Sequence, residues 1–357
     1  MFVKSAEPST VEAKGEPAEA ATGLTPSDPT ILEVEDLDVR FELRDRTVHA
    51  VRGLSYSIRQ GQTLAIIGES GSGKTVSSRA IMGLLPPTAQ VAGSVRLQGK
   101  ELLGLPERDL RRHRGPDLAM VFQDPARSLN PTMRVGQQIS EAIRRHLPTT
   151  KDEAHERTVE LLQMVRLPSA RQRYSEYPHE LSGGMRQRVM IAMALACAPK
   201  VLFADEATTA LDVTTQAQIM DLLQDLQKEL HMALVLISHD MGLAASFTDE
   251  VLVMYGGKSV EQAPTKVLFS RVRMPYTRVL LDAIPRVERP SHSLMPVVQG
   301  RPPDMTRPIP GCSFAPRCPR AAPRCSTEEP PFTEHEENHR YACFFPMGEE
   351  EPDGVRS

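Results

Sequence analysis

Alternating apolar and polar positions mark the first structured segments of the chain. The alternation places apolar residues at Leu37, Val39, Phe41 and Leu43, and residues 48–58 continue it after Asp45-Arg46. A period of two is typical of a strand with one buried face. Val95 and Leu97 repeat the pattern before Gln98-Gly99-Lys100, a sequence typical of a hairpin turn. Together these segments predict an antiparallel sheet.

Three short apolar runs, at residues 64–67, 201–204 and 234–237, indicate buried strands. Between the last two runs, apolar residues recur at the helical period of 3.6, at Ile219, Leu222, Leu223, Leu226 and Leu230. This strand–helix alternation predicts a parallel sheet covered by helices. Residues from about 125 to 184 are polar and helical in pattern, which predicts a helical subdomain inserted between core strands.

Composition changes sharply at both ends of the chain. Residues 1–30 are rich in Ala, Glu, Pro, Ser and Thr and predict a disordered tail. Proline becomes frequent after Pro285, and four of the five cysteines lie in this part of the chain. We therefore expect a separate C-terminal extension rich in Cys and Pro over residues 276–346, followed by a tail at 347–357.

Charge and hydropathy exclude several classes of function. The 357 residues carry a formal net charge of −4 and no tryptophan, so nothing favours a nucleic-acid partner. The longest apolar run, residues 189–198, is far shorter than the roughly 20 residues of a membrane span. The N-terminus lacks the apolar core of a signal peptide. We expect a cytosolic protein that acts at a membrane only through partners.

A glycine-rich loop follows the first apolar run and fits G-x-x-x-x-G-K-[ST] in full. Its residues are Gly68, Glu69, Ser70, Gly71, Ser72, Gly73, Lys74 and Thr75. Such a loop directs backbone N–H groups at phosphate oxygens, and the following helix adds a favourable dipole. Lys74 is then expected to bind the β- and γ-phosphates, and Thr75 to ligate Mg²⁺.

Two carboxylates, Asp205 and Glu206, end the second apolar run. Asp205 is expected to bind Mg²⁺ directly or through water. Glu206 could polarise an attacking water, a role typically worth about 10²–10⁴ in rate. The alternative is a solvated strand end without function.

A third motif lies between the glycine loop and these acids: Leu181, Ser182, Gly183, Gly184, Met185, Arg186 and Gln187. The three motifs in this order resemble ATP-binding cassette (ABC) ATPases. The resemblance implies an α/β fold: an ABC ATPase domain over residues 31–275, built from a RecA-like P-loop NTPase core, the antiparallel β subdomain and the inserted helical subdomain. It also implies a dimer, in which Leu181, Ser182, Gly183, Gly184 and Gln187 contact ATP held by the partner subunit.

The same resemblance suggests roles for four further residues. His239 corresponds to the switch histidine that contacts the γ-phosphate, and Gln123 to the glutamine that touches Mg²⁺ or water. Asp212, in Ala210-Leu211-Asp212, corresponds to the D-loop that crosses the dimer interface. Phe41 is a candidate for stacking on adenine, although its place on an apolar strand face explains it equally well. The chain departs from the pattern where Ala207 replaces the usual proline and Thr209 the frequent serine.

Longer stretches narrow the resemblance to one branch. Residues 205–220, Pro275-Tyr276-Thr277 and residues 311–319 resemble the ATPase subunits of bacterial dipeptide and oligopeptide importers. The likeness spans residues 31–346. It implies ATP hydrolysis that powers import of di- or oligopeptides, at the cytoplasmic face of the inner membrane. The implied partners are a second ATPase, expected to be a paralogue, two membrane permeases and an external substrate-binding protein.

The C-terminal cysteines Cys312, Cys318, Cys325 and Cys343 have the spacing C-x5-C-x6-C-x17-C. A reducing cytosol disfavours disulfides, and clustered thiolates suit zinc or an iron–sulfur cluster. Some members of the importer family carry a four-iron, four-sulfur cluster here, and the lack of short C-x2-C pairs also favours iron–sulfur. We therefore predict such a cluster, with zinc or no metal as alternatives. Cys197 is interpreted as a small buried hydrophobe.

Other functions remain to be weighed. A soluble ABC ATPase that remodels nucleic acid or ribosomes usually has two cassettes or long coiled-coil insertions, and this chain shows neither. An importer ATPase for nickel or another non-peptide cargo is a closer alternative. A non-catalytic nucleotide-binding subunit is disfavoured, because Lys74, Asp205, Glu206 and His239 are all present.

Overall fold

The computed structural model describes residues 29–209, 211–284, 300–335 and 338–349. Nearly all of both predicted tails, and Ala210 of the D-loop, lie outside these residues. The strands are β1 Thr30–Glu42, β2 Thr47–Arg59, β3 Thr63–Ile67, β4 Ala89–Leu97, β5 Lys100–Glu101, β6 Leu118–Val121, β7 Val201–Asp205, β8 Ala233–Ser238, β9 Glu250–Tyr255, β10 Lys258–Pro264, β11 Thr333–Glu334 and β12 Arg340–Tyr341.

The helices alternate with the strands of the core and then dominate residues 125–194. They are α1 Lys74–Ile81, α2 Glu107–His113, α3 Pro125–Ser128, α4 Val135–His146, α5 Lys151–Met164, α6 Ala170–Arg173, α7 Gly183–Ala194, α8 Val213–Leu230, α9 Met241–Phe247, α10 Thr265–Ser270, α11 Pro275–Asp282 and α12 Pro323–Thr327. Two short 3₁₀ helices occur at Pro178–Glu180 and Ala315–Arg317.

The predicted antiparallel sheet is present, with strand order β2-β1-β4-β5. Val39 lies opposite Val51 on one side and opposite Val91 on the other. Leu43, expected on the buried face, is instead 44% exposed. The reason is that β1 ends at Glu42, and the residues between it and β2 form the turn.

The main sheet has the order β11-β12-β10-β9-β3-β8-β7-β6. Its five strands from β9 to β6 are parallel, as the apolar runs predicted, and every residue of β3, β7 and β8 is buried. Parallel strands buried on both faces read as continuous apolar runs, which explains why they lack alternation. The carboxyl ends of β3, β7 and β8 lie side by side at one edge.

Helices α3 to α7 follow β6 in the chain, and α4 to α7 share one hydrophobic core with α8. Val135 and Ile139 of α4 and Leu161 of α5 join Ile219 and Leu223 of α8 in this core, all at 1% exposure or less. The buried positions of α8 follow the predicted helical spacing. The structure thus contains helices where the subdomain was predicted, and its boundaries stay a prediction.

The described C-terminal residues, 300–335 and 338–349, pack on both sheets. Glu261 of β10 lies opposite Tyr341 of β12, so β12 extends the main sheet. His49 N–H of β2 donates to the Met305 carbonyl at 2.9 Å, which joins the same region to the antiparallel sheet. Among the described residues, no helix is both long enough and apolar enough to cross a membrane.

Candidate active site

The glycine loop joins β3 to α1 and is closely surrounded by backbone. A Cβ atom on Gly73, which has a φ of 100°, would lie 2.5 Å from the Ala50 carbonyl oxygen. Lys74 Nζ donates to the carbonyl oxygens of Gly68 at 2.7 Å and Glu69 at 3.0 Å. Ser72 Oγ is buried without a hydrogen-bond partner. An orphaned buried hydroxyl beside a buried cation fits a site for phosphate.

Burial lowers the pKa of Lys74, although the nearby Glu206, Asp205 and Glu69 carboxylates act to raise it. The lysine side chain is thus held in a desolvated position with its charge facing acids. A phosphate group bound here would form a charge-assisted hydrogen bond with the Lys74 ammonium.

Thr75 and Asp205 meet across the cleft between α1 and the end of β7. Thr75 Oγ1 donates to Asp205 Oδ1 at 2.7 Å, and Arg79 Nη2 lies 3.9 Å from Asp205 Oδ2. Burial raises the pKa of Asp205, against the lowering effect of the Thr75 hydrogen bond. A hydroxyl and a carboxylate are hard oxygen ligands of the kind that Mg²⁺ prefers, so the pair fits the metal.

Glu206 is the best connected of the predicted catalytic residues. Gln123 Nε2 donates to its Oε2 at 2.6 Å, Thr209 Oγ1 lies 3.4 Å from the same oxygen, and His239 Nδ1 lies 3.5 Å from Oε1. The structure therefore brings together Gln123, Glu206 and His239, which the sequence separates by 83 and 33 positions.

The Glu206 backbone lies in the left-handed region, with a φ of 47°. This conformation costs a residue other than glycine about 1–3 kcal/mol and is often found at functional sites. Glu206 N–H donates to the Ile237 carbonyl of β8 at 2.9 Å, and Ala207 behind it is buried. Packing around the neighbouring residues thus holds the turn, even though Ala207 stands where the resemblance expected proline.

The third motif of the sequence, residues 181–187, lies at the start of α7 and is called the signature. Ser182 is its N-cap, with Oγ accepting from Met185 N–H at 3.3 Å, and Ser182 and Gly183 are exposed. Leu181 and Gln187 are buried, and a Cβ atom on Gly184 would lie 2.9 Å from Thr215 Cγ2. The signature therefore presents its serine and first glycine to solvent and its other side to the start of α8.

Two further predicted residues have structural roles in this chain. Asp212 is the N-cap of α8: its Oδ1 accepts from Thr215 N–H at 3.0 Å, a bond that lowers the pKa of Asp212. Phe41 is partly buried and packs against the core beneath the antiparallel sheet. Its contact with adenine, and the D-loop role of Asp212, stay predictions.

The iron–sulfur prediction is wrong. No group of three or more His, Cys, Asp or Glu side chains within the described ranges is arranged to hold a metal ion, which also removes the zinc alternative. Cys312, Cys318, Cys325 and Cys343 are free cysteines that line one cavity of about 10 Å³ with apolar neighbours such as Phe314. Such a cavity has room for about one water. These sulfurs act as small apolar core groups, a possibility that spacing alone could not distinguish from a thiolate cluster.

Burial keeps three of these thiols, those of Cys312, Cys318 and Cys343, protonated. It raises the pKa of Cys318 to about 11 and of Cys343 to about 12, and it also raises the pKa of Cys312. At pH 8 we expect iodoacetamide to alkylate Cys318 at least about 100-fold more slowly in the folded protein than in urea, because the thiolate is the nucleophile. Peptide mass spectrometry over time measures this rate. Equal rates in the two states would contradict the assignment of a buried, neutral thiol.

Substitution of Lys74 tests the phosphate site directly. Lys74→Ala removes a charge-assisted contact of about 1.5–3 kcal/mol, so we expect ATP affinity to fall roughly 10- to 150-fold. Titration with a fluorescent ATP analogue measures this change. Lys151→Ala, which changes an exposed lysine at the start of α5, is the matched control and should bind normally. Unchanged affinity in Lys74→Ala would show that the loop does not hold phosphate.

Sequence comparisons cover almost the whole chain. Residues 51–209 match the ABC transporter family, and residues 260–325 match the oligopeptide/dipeptide transporter C-terminal region. The chain is 46% identical to the oligopeptide transport ATP-binding protein OppD of Salmonella typhimurium, over 93% of this chain and 98% of that protein. The chain belongs to the family of oligopeptide and dipeptide transport ATP-binding proteins. A second relative is the dipeptide transport ATP-binding protein DppD of Bacillus subtilis, 44% identical over 88% of this chain and 94% of that one.

Solved structures agree with this family. The ATP-binding cassette MJ0796, a dimer in a post-hydrolysis state with ADP and phosphate, matches with a TM-score of 0.60 and 26% identity, over 66% of this chain and 99% of that one. CbiO1 of Clostridium perfringens, part of an ABC transporter complex, matches with a TM-score of 0.59 and 30% identity, over 68% and 91%. This ABC ATPase therefore uses ATP and Mg²⁺, and its ATPase activity is coupled to transport.

Sequence reasoning missed three contributors to the site of this ATPase. Arg79 faces Asp205 from the last turn of α1, and Tyr276 and Arg317 reach the glycine loop from the C-terminal region. Spacing within α1 could have indicated Arg79. Nothing in the local sequence connects residues 276 and 317 to a loop more than 200 positions earlier.

Proposed function

We propose that this chain hydrolyses ATP to power the import of oligopeptides or dipeptides by a membrane ABC transporter. The observation that carries the proposal is the convergence of Gln123 and His239 on the Glu206 carboxylate, beside the Thr75–Asp205 pair. The candidate base Glu206 and its two polar neighbours thus lie at one edge of the sheet. The two oxygen ligands suited to Mg²⁺ and the glycine loop lie beside them. This arrangement suits in-line attack of water on a terminal phosphate.

Each residue has a distinct part in this chemistry. Gly68, Ser70, Gly71, Ser72 and Gly73 form the loop around the phosphates, with Lys74 as its cation. Thr75 and Asp205, with Gln123, would hold Mg²⁺, which neutralises charge on the phosphate oxygens. Glu206 accepts the proton of the attacking water, and its short bond to Gln123 fixes which carboxylate oxygen is free to do so. His239 orients the same carboxylate from the opposite side.

The reaction is proposed to need two ATPase subunits. Ser182 and Gly183 are exposed at the N-terminus of a twelve-residue helix, where backbone N–H groups favour an anion. In the predicted dimer, this surface closes over ATP bound to the partner's glycine loop, so that each ATP is sandwiched between the two subunits. The dimeric form of the MJ0796 cassette supports the arrangement. The partner is proposed to be a paralogous ATPase.

The cargo follows from the relatives and from the C-terminal region. The names of the bacterial relatives specify oligopeptide or dipeptide transport, and residues 260–325 match the C-terminal region characteristic of such transporters. These observations favour peptides over nickel or another cargo and give no support to remodelling of nucleic acid or ribosomes. The remaining partners are proposed to be two membrane permeases and an external substrate-binding protein, with this subunit peripheral at the cytoplasmic face.

Reconstitution tests the proposal. The chain, its partner ATPase and the two proposed permeases are placed in liposomes with the substrate-binding protein on the opposite side. We expect ATP-dependent accumulation of a labelled tri- or pentapeptide, and ATP turnover that rises when the binding protein carries peptide. A matched preparation with Glu206→Gln should accumulate none. Uptake of nickel but not of peptide would mean that nickel is the cargo. ATP turnover that does not depend on the permeases would reject the transporter role.

A further inference from the structure

Glu69, the second residue of the glycine loop, is held by the C-terminal region. Arg317 makes a bidentate ion pair with its carboxylate, with Nη1–Oε2 at 2.7 Å and Nη2–Oε1 at 3.1 Å. The Tyr276 hydroxyl accepts a hydrogen bond from Glu69 N–H at 2.9 Å. Thus both the backbone and the side chain of one loop residue are fixed by residues that lie more than 200 positions later in the sequence.

The contact is enclosed and has its own support. The Arg317 side chain is only 5% exposed, and its Nη1 also lies 3.0 Å from the Tyr255 hydroxyl. Tyr255 and Tyr276 pack on each other with ring centroids 4.5 Å apart, and Phe314 packs on both. The hydrogen bonds with Glu69 are the main cause that raises the pKa of Arg317, so the guanidinium is locked in its charged form. A buried bidentate pair of this kind is geometrically specific.

Glu69 also has an electrostatic effect on the nucleotide site. Its carbonyl oxygen accepts from Lys74 Nζ, and its carboxylate is one of the charges that act on that lysine. A bare carboxylate in a loop that surrounds phosphates would repel them. Arg317 balances this charge, while the bidentate pair and the Tyr276 hydroxyl fix the side chain and the backbone of Glu69 within the loop.

We propose that Arg317 and Tyr276 are positioning residues for ATP binding, which neutralise and fix Glu69 so that the glycine loop can accept a triphosphate. This inference rests on the proposed ATP site, and it adds a task for the C-terminal region. The region completes the nucleotide loop of its own subunit, in addition to whatever it does in transport.

The decisive experiment compares nucleotides of different charge on the purified full-length chain. Arg317→Met leaves Glu69 uncompensated, so we expect ATP affinity to fall at least about 10-fold, ADP affinity less and AMP affinity least. The double variant Glu69→Gln with Arg317→Met removes both charges and should return ATP affinity to within about threefold of the wild type. Tyr276→Phe removes only the hydroxyl and should weaken ATP and ADP by the same factor, about threefold. Titration with fluorescent nucleotide analogues gives all of these values.

Controls separate this effect from misfolding and from failure of the ATP site itself. Arg324→Met alters an exposed arginine of the same region, paired with Glu328, and should bind ATP normally. Normal ATP binding by folded Arg317→Met, while Lys74→Ala fails, would overturn the inference and leave the ATP site intact. Equal losses of ATP, ADP and AMP affinity in Arg317→Met would also overturn it, because only an uncompensated Glu69 charge makes the loss depend on the charge of the nucleotide. If Arg317→Met does not fold, Tyr276→Phe carries the test, and unchanged affinity there rejects the proposal.

Discussion

Glu206→Gln is expected to slow ATP hydrolysis at least about 100-fold while leaving ATP binding intact. The amide preserves the shape of the side chain and its contacts with Gln123 and Thr209, yet it cannot accept the proton of the attacking water. The variant should therefore accumulate as an ATP-bound dimer with its signature surfaces engaged. Phosphate release and size-exclusion chromatography with ATP measure the two effects.

Two companion variants make the Glu206 result specific. Glu141→Gln, on the exposed side of α4, changes the same chemical group away from the site and should leave turnover unchanged. Glu206→Gly removes the carboxylate but relieves the left-handed backbone, so it should be inactive without loss of stability. Near-normal turnover in Glu206→Gln would remove Glu206 as the base.

Ser182→Arg is expected to abolish turnover while the isolated subunit still binds ATP. Ser182 is exposed at the start of α7, so an arginine there is tolerated by the fold but blocks closure against a partner. Equilibrium titration of the monomer and steady-state turnover in the assembled transporter give the two measurements. Loss of ATP binding by the monomer would mean that Ser182 contacts ATP within its own subunit. That result would contradict the predicted dimer, in which Ser182 contacts ATP held by the partner.

Mixing variants sharpens this test. In a dimer of two copies, pairing a Lys74→Ala chain with a Ser182→Arg chain leaves one site with both wild-type residues, so turnover should partly return. A chain that carries both substitutions, paired with a wild-type copy, leaves no intact site and should stay inactive. Recovery only with the paralogous ATPase present would identify that subunit as the obligatory partner.

Local chemistry made much of the fold and site predictable. The residues of the glycine loop are contiguous in the sequence, and the motif that they form is expected directly after a buried strand. The loop could therefore be located from the sequence alone. Glu206 was predicted because it ends a short apolar run, and His239 because the resemblance to ABC ATPases implies a switch histidine there. Parallel strands bring such strand ends together. The structure adds what the pattern lacked, including the left-handed backbone of Glu206 and its bond to Gln123.

The C-terminal region was predicted less well because its chemistry depends on burial. In the sequence, four cysteines are compatible both with thiolate ligands and with apolar core groups. Only their enclosure beside Phe314, Phe344 and Phe345 distinguishes these two interpretations. The ion pair between Glu69 and Arg317 was invisible for another reason. Both residues have charged side chains that are ordinarily solvated, and no local pattern records a partner at a separation of 248 positions.

That separation has a consequence for how the protein is made. The ribosome synthesises the glycine loop early, but it adds Arg317 only when about nine-tenths of the 357 residues have been joined. During most of translation the loop therefore lacks the cation that balances Glu69, so an unfinished chain should hold ATP weakly. Contacts so distant in sequence also form late in folding, because their loop-closure entropy must be overcome first. On the proposed role of Arg317, a chain that ends before this residue should bind nucleotide weakly even where the rest of its ATP site is folded.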